Sequence, residues 1–333
     1  MRVLVTGAGG RVGAEMIRSL RAEGDWVRGL DMAPARAGAE PDEMIQASLL
    51  DADAVTAAVD GVDAVVHLAA LMSWLPQDAE RLFDINVRGT FNLLQAVTGV
   101  PLSRFVFASS GEVYPELNPV YLPIDESHPT NPISVYGMTK LLGEDMLRNF
   151  ARRAGLPFCI ARFSHTQAAA ELFDPNSFFS GPRFYVNAKL RQLRTLPASD
   201  AAARSIAALE AVATPAEQHY IGCSPDGRPY RMGICDVRDL VQGLMLCLHH
   251  PKALGHTYNI GPARACSFDE LVPYLARHTG LPIVRVNLYT QPYDYETSAE
   301  KARQELGYVP EWDMFRMIDD GARAWQAHPA AMA

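Results

Sequence analysis

Hydrophobic and polar positions along the first 165 residues follow two alternating rhythms. Residues 3–6 (VLVT) form a run with no charged position, the pattern of a strand covered on both faces in a parallel sheet. A glycine-rich turn follows, and then apolar positions at helical spacing over 12–21. Residues 26–30 predict a second strand and 64–68 (AVVHL) a third, with a helix around 53–59 before it. Residues 80–97 predict a long helix, 104–109 (RFVFAS) a fourth strand, 136–153 a further helix and 157–162 another strand. Repeated strand–helix units of this kind imply an α/β fold with a doubly wound parallel sheet, whose ligands bind beyond the carboxyl ends of the strands.

Beyond Arg162 the rhythm stops. Residues 163–230 show no clear alternation and carry the turn signals DPNS and SGPR. A short strand and helix return over 235–249, a strand over 257–260, and two or three helical stretches from about 267. The organisation expected is a Rossmann-like domain over 1–165, rejoined by 232–262. A smaller, discontinuous substrate-binding domain would come from 166–231 and 263–325. The alanine-rich tail after Trp325 is expected to fray.

Composition narrows the function classes. The chain has 333 residues, 48% hydrophobic and 20% charged, with a formal net charge of −8. That is enough chain for a large core, and the mild acidity argues against a nucleic-acid partner. Five cysteines sit at no metal-like spacing, so neither a metal site nor a disulfide framework is expected, and a reducing compartment fits. The chain opens directly into a strand and has no apolar run long enough to span a bilayer, so a cytoplasmic protein with no membrane partner is expected.

The candidate chemistry begins at residues 6–13, TGAGGRVG. Glycines at 7, 10 and 13, between a strand and a helix, suit a backbone that must turn sharply and approach a pyrophosphate; the helix N-terminus then offers its N–H groups to that anion. Asp31 closes the second strand, where a carboxylate accepts hydrogen bonds from the adenosine ribose and repels a 2′-phosphate, which favours NAD over NADP. Arg11 and Arg36 are cations that could hold a phosphate instead.

Tyr136 and Lys140 form Y-x-x-x-K at the start of a predicted helix, and residues four apart share a helical face. A cation beside the phenol favours the phenolate and makes Tyr136 a usable general base. The chain has only four lysines, and one of them stands in this position. Ser110, at the end of the strand FASS, would hydrogen-bond the substrate oxygen.

With these residues in view, the chain resembles an extended short-chain dehydrogenase/reductase of the NAD-dependent epimerase/dehydratase family. The likeness runs through TGAGGRVG at 6–13, Asp31, HLAA at 67–70, NVRGTFNLLQA at 86–96, FASSGEVY at 107–114 and YGMTK at 136–140. It continues more weakly in DVRDL at 236–240, YNIG at 258–261 and SAEKARQELGYVP at 298–310. The resemblance implies that Gly7, Gly10, Arg11, Val12 and Gly13 cradle the pyrophosphate and that Asp31 holds the ribose. It implies that Leu49 meets the adenine, although Ser48 replaces the acidic residue that often precedes that leucine. Leu68, Ala69 and Ala70 would pass behind the cofactor, Asn86 would brace the site, and His67 is read as a packing residue. Ser110, Tyr136 and Lys140 would do the chemistry, with Lys140 also gripping the nicotinamide ribose.

Three further features bear on substrate. Glu112, two residues after Ser110, matches an acid/base glutamate of nucleotide-sugar dehydratases and decarboxylases, although Gly111 replaces the polar residue that precedes it there. The R-x-x-N then Y-G-P-R pattern of sugar-nucleotide enzymes is broken: Arg162-Phe-Ser-His165 lacks the asparagine, and Ser180-Gly-Pro-Arg183 comes late. The intervening stretch reads as an insertion, with His165, Thr166, Gln167 and Arg183 as candidate substrate contacts. The loop 71–75 (LMSWL) is apolar, and its Met72 and Trp74 are further candidates. Two functions remain open. One is an epimerase or dehydratase acting on a sugar, nucleotide-linked by expectation, through a transient ketone. The other is a net NAD-dependent dehydrogenase of a free sugar, sugar acid or other secondary alcohol. A homodimer packed through the helices at 80–97 and 136–153 is expected by analogy.

Overall fold

The computed structural model describes residues 1–115 and 118–327, so the tail expected to fray lies, from residue 328, outside the described residues. The described chain divides into two compact units. The first comprises Met1–Ser164, Val237–Gly261 and Thr297–Pro310; the second comprises His165–Asp236, Pro262–Glu296 and the described residues from Glu311.

The first unit is built on a seven-stranded sheet. Its strands are β1 (Arg2–Thr6), β2 (Trp26–Asp31), β3 (Glu43–Gln46), β4 (Ala64–His67), β5 (Arg104–Ser110), β6 (Phe158–Phe163) and β7 (Thr257–Ile260). The spatial order is β7-β6-β5-β4-β1-β2-β3, and every pairing is parallel. The order reverses at β1, between β4 and β2, which opens a crevice at the carboxyl end of β1 where a dinucleotide fits. β1, β4 and β5 are almost wholly buried, as the unbroken apolar runs require. β3, half-exposed and polar at both ends, has no such run, and the sequence reading missed it.

The helices are α1 (Arg11–Ala22), α2 (Ala52–Val59), α3 (Ala79–Phe83), α4 (Gly89–Ala96), α5 (Val135–Ala154), α6 (Val237–His249) and α7 (Glu300–Leu306). The long helix expected over 80–97 is in fact α3 and α4 joined through a π-helical stretch, Asp84–Arg88. Apolar spacing alone does not reveal a change of hydrogen-bond register of this kind. The segment Thr297–Pro310, expected in the substrate domain, belongs to the first unit. It is tied there by Ser298 N–H to Ile124 O (2.7 Å), Lys301 Nζ to Thr257 O (2.8 Å) and Tyr308 O–H to Gly261 O (2.8 Å).

The second unit has more regular structure than the irregular stretch expected over 163–230. That span contains a short strand Thr166–Gln167, helices Gly181–Phe184, Val186–Thr195 and Asp200–Glu210, and a strand His219–Cys223. The strand pairs in parallel with Ile283–Asn287, and the unit's core gathers Leu172, Phe184, Tyr185, Tyr220, Phe268 and Met317. Short elements and aromatic packing leave a weak periodic signal in the sequence, which is why alternation was absent there.

Candidate functional site

β1 delivers its chain to the cradle at Gly7, whose φ of +74° is a left-handed conformation that glycine adopts without strain. A Cβ at Gly7 would stand 2.8 Å from Ala69 N, and one at Gly13 would stand 2.1 Å from Gly7 O. Gly10 donates its N–H to Gly7 O (3.0 Å) and caps α1 without any side-chain hydrogen bond. The first N–H groups of α1 are thus left for an anion, with Arg11 and Val12 half-buried in that turn. These residues fit a pyrophosphate pressed against bare backbone.

Asp31, at the end of β2, is fixed by two backbone donors: Gly9 N–H to Oδ2 at 3.0 Å and Ala33 N–H to Oδ1 at 2.9 Å. Arg36 donates through Nε to Gly9 O (3.1 Å). Leu68 and Ala69 lie behind the cradle, donating to Thr6 O and Thr6 Oγ1 at 3.2 Å each, and Ala70 follows half-buried. Leu49 is buried against Gly89, where a Cβ would stand 2.8 Å from its own.

His67 closes β4 fully buried, and its hydrogen bonds define its tautomer. Thr90 O–H donates to Asn86 O (2.6 Å), so His67 Nε2–H must donate to Thr90 Oγ1 (2.9 Å), and Nδ1 accepts from Thr6 O–H (2.7 Å). Burial, helped by Lys140, lowers its pKa to about 3. It is a neutral strut between β1 and α4.

The reactive group is assembled by β5 and α5. Ser110 ends β5, and its Oγ accepts Glu112 N–H at 3.1 Å. Tyr136 and Lys140 are both buried on α5, with Lys140 Nζ 5.8 Å from the Tyr136 ring centroid and donating to Ala108 O at 2.8 Å. Burial lowers the Lys140 pKa to about 8, against the raising effect of Glu144, so the ammonium remains charged at neutral pH. α5 approaches the turn after β5 closely: a Cβ at Gly137 would stand 2.2 Å from Glu112 O. The glycine of Y-G-x-x-K therefore has a packing reason that spacing did not reveal.

Glu112 is held by two elements. Trp74 Nε1–H donates to both carboxylate oxygens (3.0 and 3.1 Å), and Ser134 O–H donates to Oε2. Burial raises the Glu112 pKa despite these two donors. The Trp74 ring lies edge-on to Tyr136, with centroids 6.4 Å apart, so Ser110, Glu112, Trp74, Tyr136 and Lys140 come together. Met72 is exposed on the same loop. Ser134 was missed by the sequence reading; its signal is a serine just before a helical run, and it caps α5 by accepting Gly137 N–H at 2.9 Å. Asn86, in the π-helical stretch, braces this loop: Oδ1 accepts Leu71 N–H (2.8 Å), and Nδ2 donates to Leu71 O (2.9 Å) and Thr139 Oγ1 (3.0 Å).

The remaining candidates lie in the second unit. Arg183 Nη2–H donates to His165 Nδ1 (2.9 Å), Ser180 O–H donates to Gln167 Oε1 (2.9 Å), and Thr166 is half-buried beside them. Among the described residues no cluster of three or more His, Cys, Asp or Glu could hold a metal, and no helix is long and apolar enough to cross a membrane.

Comparison with known proteins places this geometry among relatives. The sequence model described as the NAD dependent epimerase/dehydratase family matches residues 3–261. A short-chain dehydrogenase/reductase superfamily protein of Agrobacterium tumefaciens, solved with bound NAD, is 44% identical, with 99% of each chain covered and a TM-score of 0.92. The UDP-glucose 4-epimerase of Halalkalibacterium halodurans is 27% identical over 99% of this chain and 97% of its own. A 3 beta-hydroxysteroid dehydrogenase/Delta 5-->4-isomerase of Mycobacterium tuberculosis is 42% identical over 34% of this chain, so only about a third (32%) of that relative is spanned.

Proposed function

The chain belongs to the NAD-dependent epimerase/dehydratase family and uses NAD, and from that premise we propose that it acts on a sugar, nucleotide-linked, through a transient ketone. NAD, when bound against Gly7, Gly10, Gly13 and Asp31, would supply reversible hydride acceptance at the carbinol carbon. Everything else falls to this chain's own side chains. Ser110 Oγ donates to the reacting oxygen and holds it near the phenol. Tyr136 takes the hydroxyl proton, and the Lys140 ammonium favours the phenolate that does so. Glu112, whose raised pKa keeps a proton available closer to neutrality, moves a proton at the neighbouring carbon or oxygen.

The observation that carries this reading is the clamp on Glu112 by Trp74 and Ser134 beside Tyr136. A net alcohol dehydrogenase needs only the serine, tyrosine and lysine; a second acid/base is useful when the ketone must eliminate, since plain return of the hydride uses the proton that Tyr136 already holds. The likeness over nearly full length to a UDP-glucose 4-epimerase agrees with it. The alternative, net oxidation of a free sugar, sugar acid or other secondary alcohol, is favoured by one observation: the exposed apolar side chains of Met72, Trp74 and Leu75 beside the site. The partial likeness to a hydroxysteroid dehydrogenase points the same way.

A proton NMR time course on pooled nucleotide sugars, free sugars and sugar acids, with NAD far below substrate, separates the two. Conversion well beyond the NAD supplied means that the hydride is returned; conversion that halts at one equivalent means a net dehydrogenase. Glu112→Gln is expected to lower turnover about a hundredfold where the ketone eliminates, and to leave it near wild type for plain hydride return or net oxidation. We further propose a homodimer through α3–α4 and α5, in a reducing compartment that suits five buried free cysteines. These helices carry Phe83, Phe91, Val135, Met138 and Leu142 as exposed apolar side chains.

A further inference from the structure

The second unit repeats a pairing that the first unit uses for chemistry. Lys189 Nζ lies 5.7 Å from the Tyr293 ring centroid, against 5.8 Å between Lys140 Nζ and the Tyr136 ring. Helix Val186–Thr195 carries Lys189 among its buried residues. Tyr293 is set by the backbone: its carbonyl accepts Arg231 N–H at 2.8 Å, and Asp294–Tyr295 then pairs in parallel with Arg231–Met232. The Tyr230 ring stands edge-on to it, with centroids 5.5 Å apart.

Charge around the phenol is one-sided. Lys189 is 5% exposed, donates to the uncharged Gln192 Oε1 at 2.8 Å and forms no ion pair among the described residues. Arg183 Cζ is a second cation, also 5.7 Å from the ring centroid. The carboxylates nearest in sequence are turned to arginines, Asp294 to Arg228 at 3.9 Å and Glu296 to Arg231 at 2.8 Å. The group that meets the Lys189 ammonium is the phenol. Lys189, and then Arg183, hold that phenol below its usual range, against the effect of burial.

Two other tyrosines have the opposite surroundings. Tyr274 and Tyr121 each donate the hydroxyl proton to a carboxylate at 2.8 Å, Asp319 and Asp125 respectively. Asp319 raises the Tyr274 phenol. Tyr293 is also open to a small reagent. It is half-buried, and with Ser224, Arg228, Tyr230, Arg231 and Asp294 it lines a cavity of about 250 Å³. A phenol attacks as its anion, so a cation beside it and open volume next to it together make a nucleophile.

We propose that Tyr293 is a covalent modification site, whose oxygen, beside the Lys189 ammonium, takes an acyl group from an activated acyl donor. The phenolate oxygen forms a bond to the acyl carbon. The bond from that carbon to the donor's leaving group breaks, and the leaving group departs with the electron pair. The ester formed is neutral, so the modification takes away the negative charge that faces Lys189.

The test is acetylation of the NAD-loaded wild-type protein by N-acetylimidazole at neutral pH, with each site located by mass spectrometry of its peptides. Tyr293 is expected to react at least about tenfold faster than exposed Tyr121 and half-buried Tyr274, and hydroxylamine should remove the group, as it does from a phenyl ester. Lys189→Met is expected to slow the reaction at Tyr293 about tenfold, and Lys189→Arg to restore it. The proposal is overturned when Tyr293 reacts no faster than the other two tyrosines, or when Lys189→Met leaves its rate unchanged. It is overturned equally when the acetyl group is found on Lys189 instead, as an amide stable to hydroxylamine. The ranking of the three tyrosines is read on the wild-type protein, so it decides where Lys189→Met does not fold. None of these readings involves sugar turnover, so the outcome is independent of the proposed reaction.

Discussion

At Gly13 a single hydrogen atom separates a working cradle from a broken one. A methyl group there would stand 2.1 Å from Gly7 O, so Gly13→Ala must displace either the turn or the start of α1. The expected outcome is loss of NAD binding by at least about a hundredfold, read by calorimetry. Tyr136→Phe removes the proton acceptor but keeps the ring against Trp74, and should lower turnover on the order of a thousandfold with little change in melting temperature. His67 gives a pH prediction. Its folded pKa of about 3 lies below the value near 6.5 of an unfolded histidine, so the unfolded chain binds the extra proton between those limits. Stability should therefore fall as pH drops below about 6.5, by up to about 1.4 kcal/mol per unit from this group alone. Denaturant melts from pH 7 to 4 should show that slope reduced in His67→Gln; an unchanged slope would remove His67 as its source. The roles read here from spacing concern residues whose types are chemically specific. Ser134 escaped because a serine before a helix has many uses.

Single elements owe their positions to contacts that their own sequence does not contain. α5 begins at a Ser134 cap whose oxygen accepts Gly137 N–H while its hydroxyl donates to Glu112. Ser134→Ala should cost about 1 kcal/mol of stability and raise the Glu112 pKa further, seen as a shift to higher pH of the limb on which Glu112 loses its proton. Deeper along α5, the buried Glu144 carboxylate receives Arg162 at 2.8 and 2.7 Å, Ser109 at 2.5 Å and Arg148 at 2.8 Å. Arg162 in turn donates to Tyr114 O–H (2.7 Å), which donates to Asn259 Oδ1 (2.8 Å), so α5, β6 and β7 share one polar network. Glu144→Gln leaves the Arg162 charge buried without its counter-charge and should cost about 3–5 kcal/mol in chemical denaturation. The π-helical stretch is another such case: it aims Asn86 at Leu71 and Thr139, and helical periodicity alone carried no trace of it.

At the scale of the whole molecule, the two units differ in how far their chain order announces them. The first is closed by segments far apart in sequence, since β7 and α7 arrive from residues 257–260 and 300–306 to join a sheet begun at residue 2. α3, α4 and α5 together leave Phe83, Phe91, Met138 and Leu142 exposed. If a second copy covers them, Phe91→Glu should convert a dimer to a monomer in sedimentation without loss of the fold. A monomeric wild type at micromolar concentration would dispose of that interface.

The sequence by itself determined six of the seven strands of the first unit's sheet, its glycine cradle and the pairing of Tyr136 with Lys140. Each of these rests on local periodicity or on a residue type that few other positions tolerate. Tertiary structure alone decided the clamp of Trp74 and Ser134 on Glu112, the tautomer of His67, and the return of residues 297–310 to the first unit. It also brought Arg183 and Lys189 to sequence-distant Tyr293, each 5.7 Å from its ring centroid. The physical reason is the same in each case. Hydrogen bonds and charges act over a few ångströms in space, and chain order does not state which distant residues folding will bring within that range.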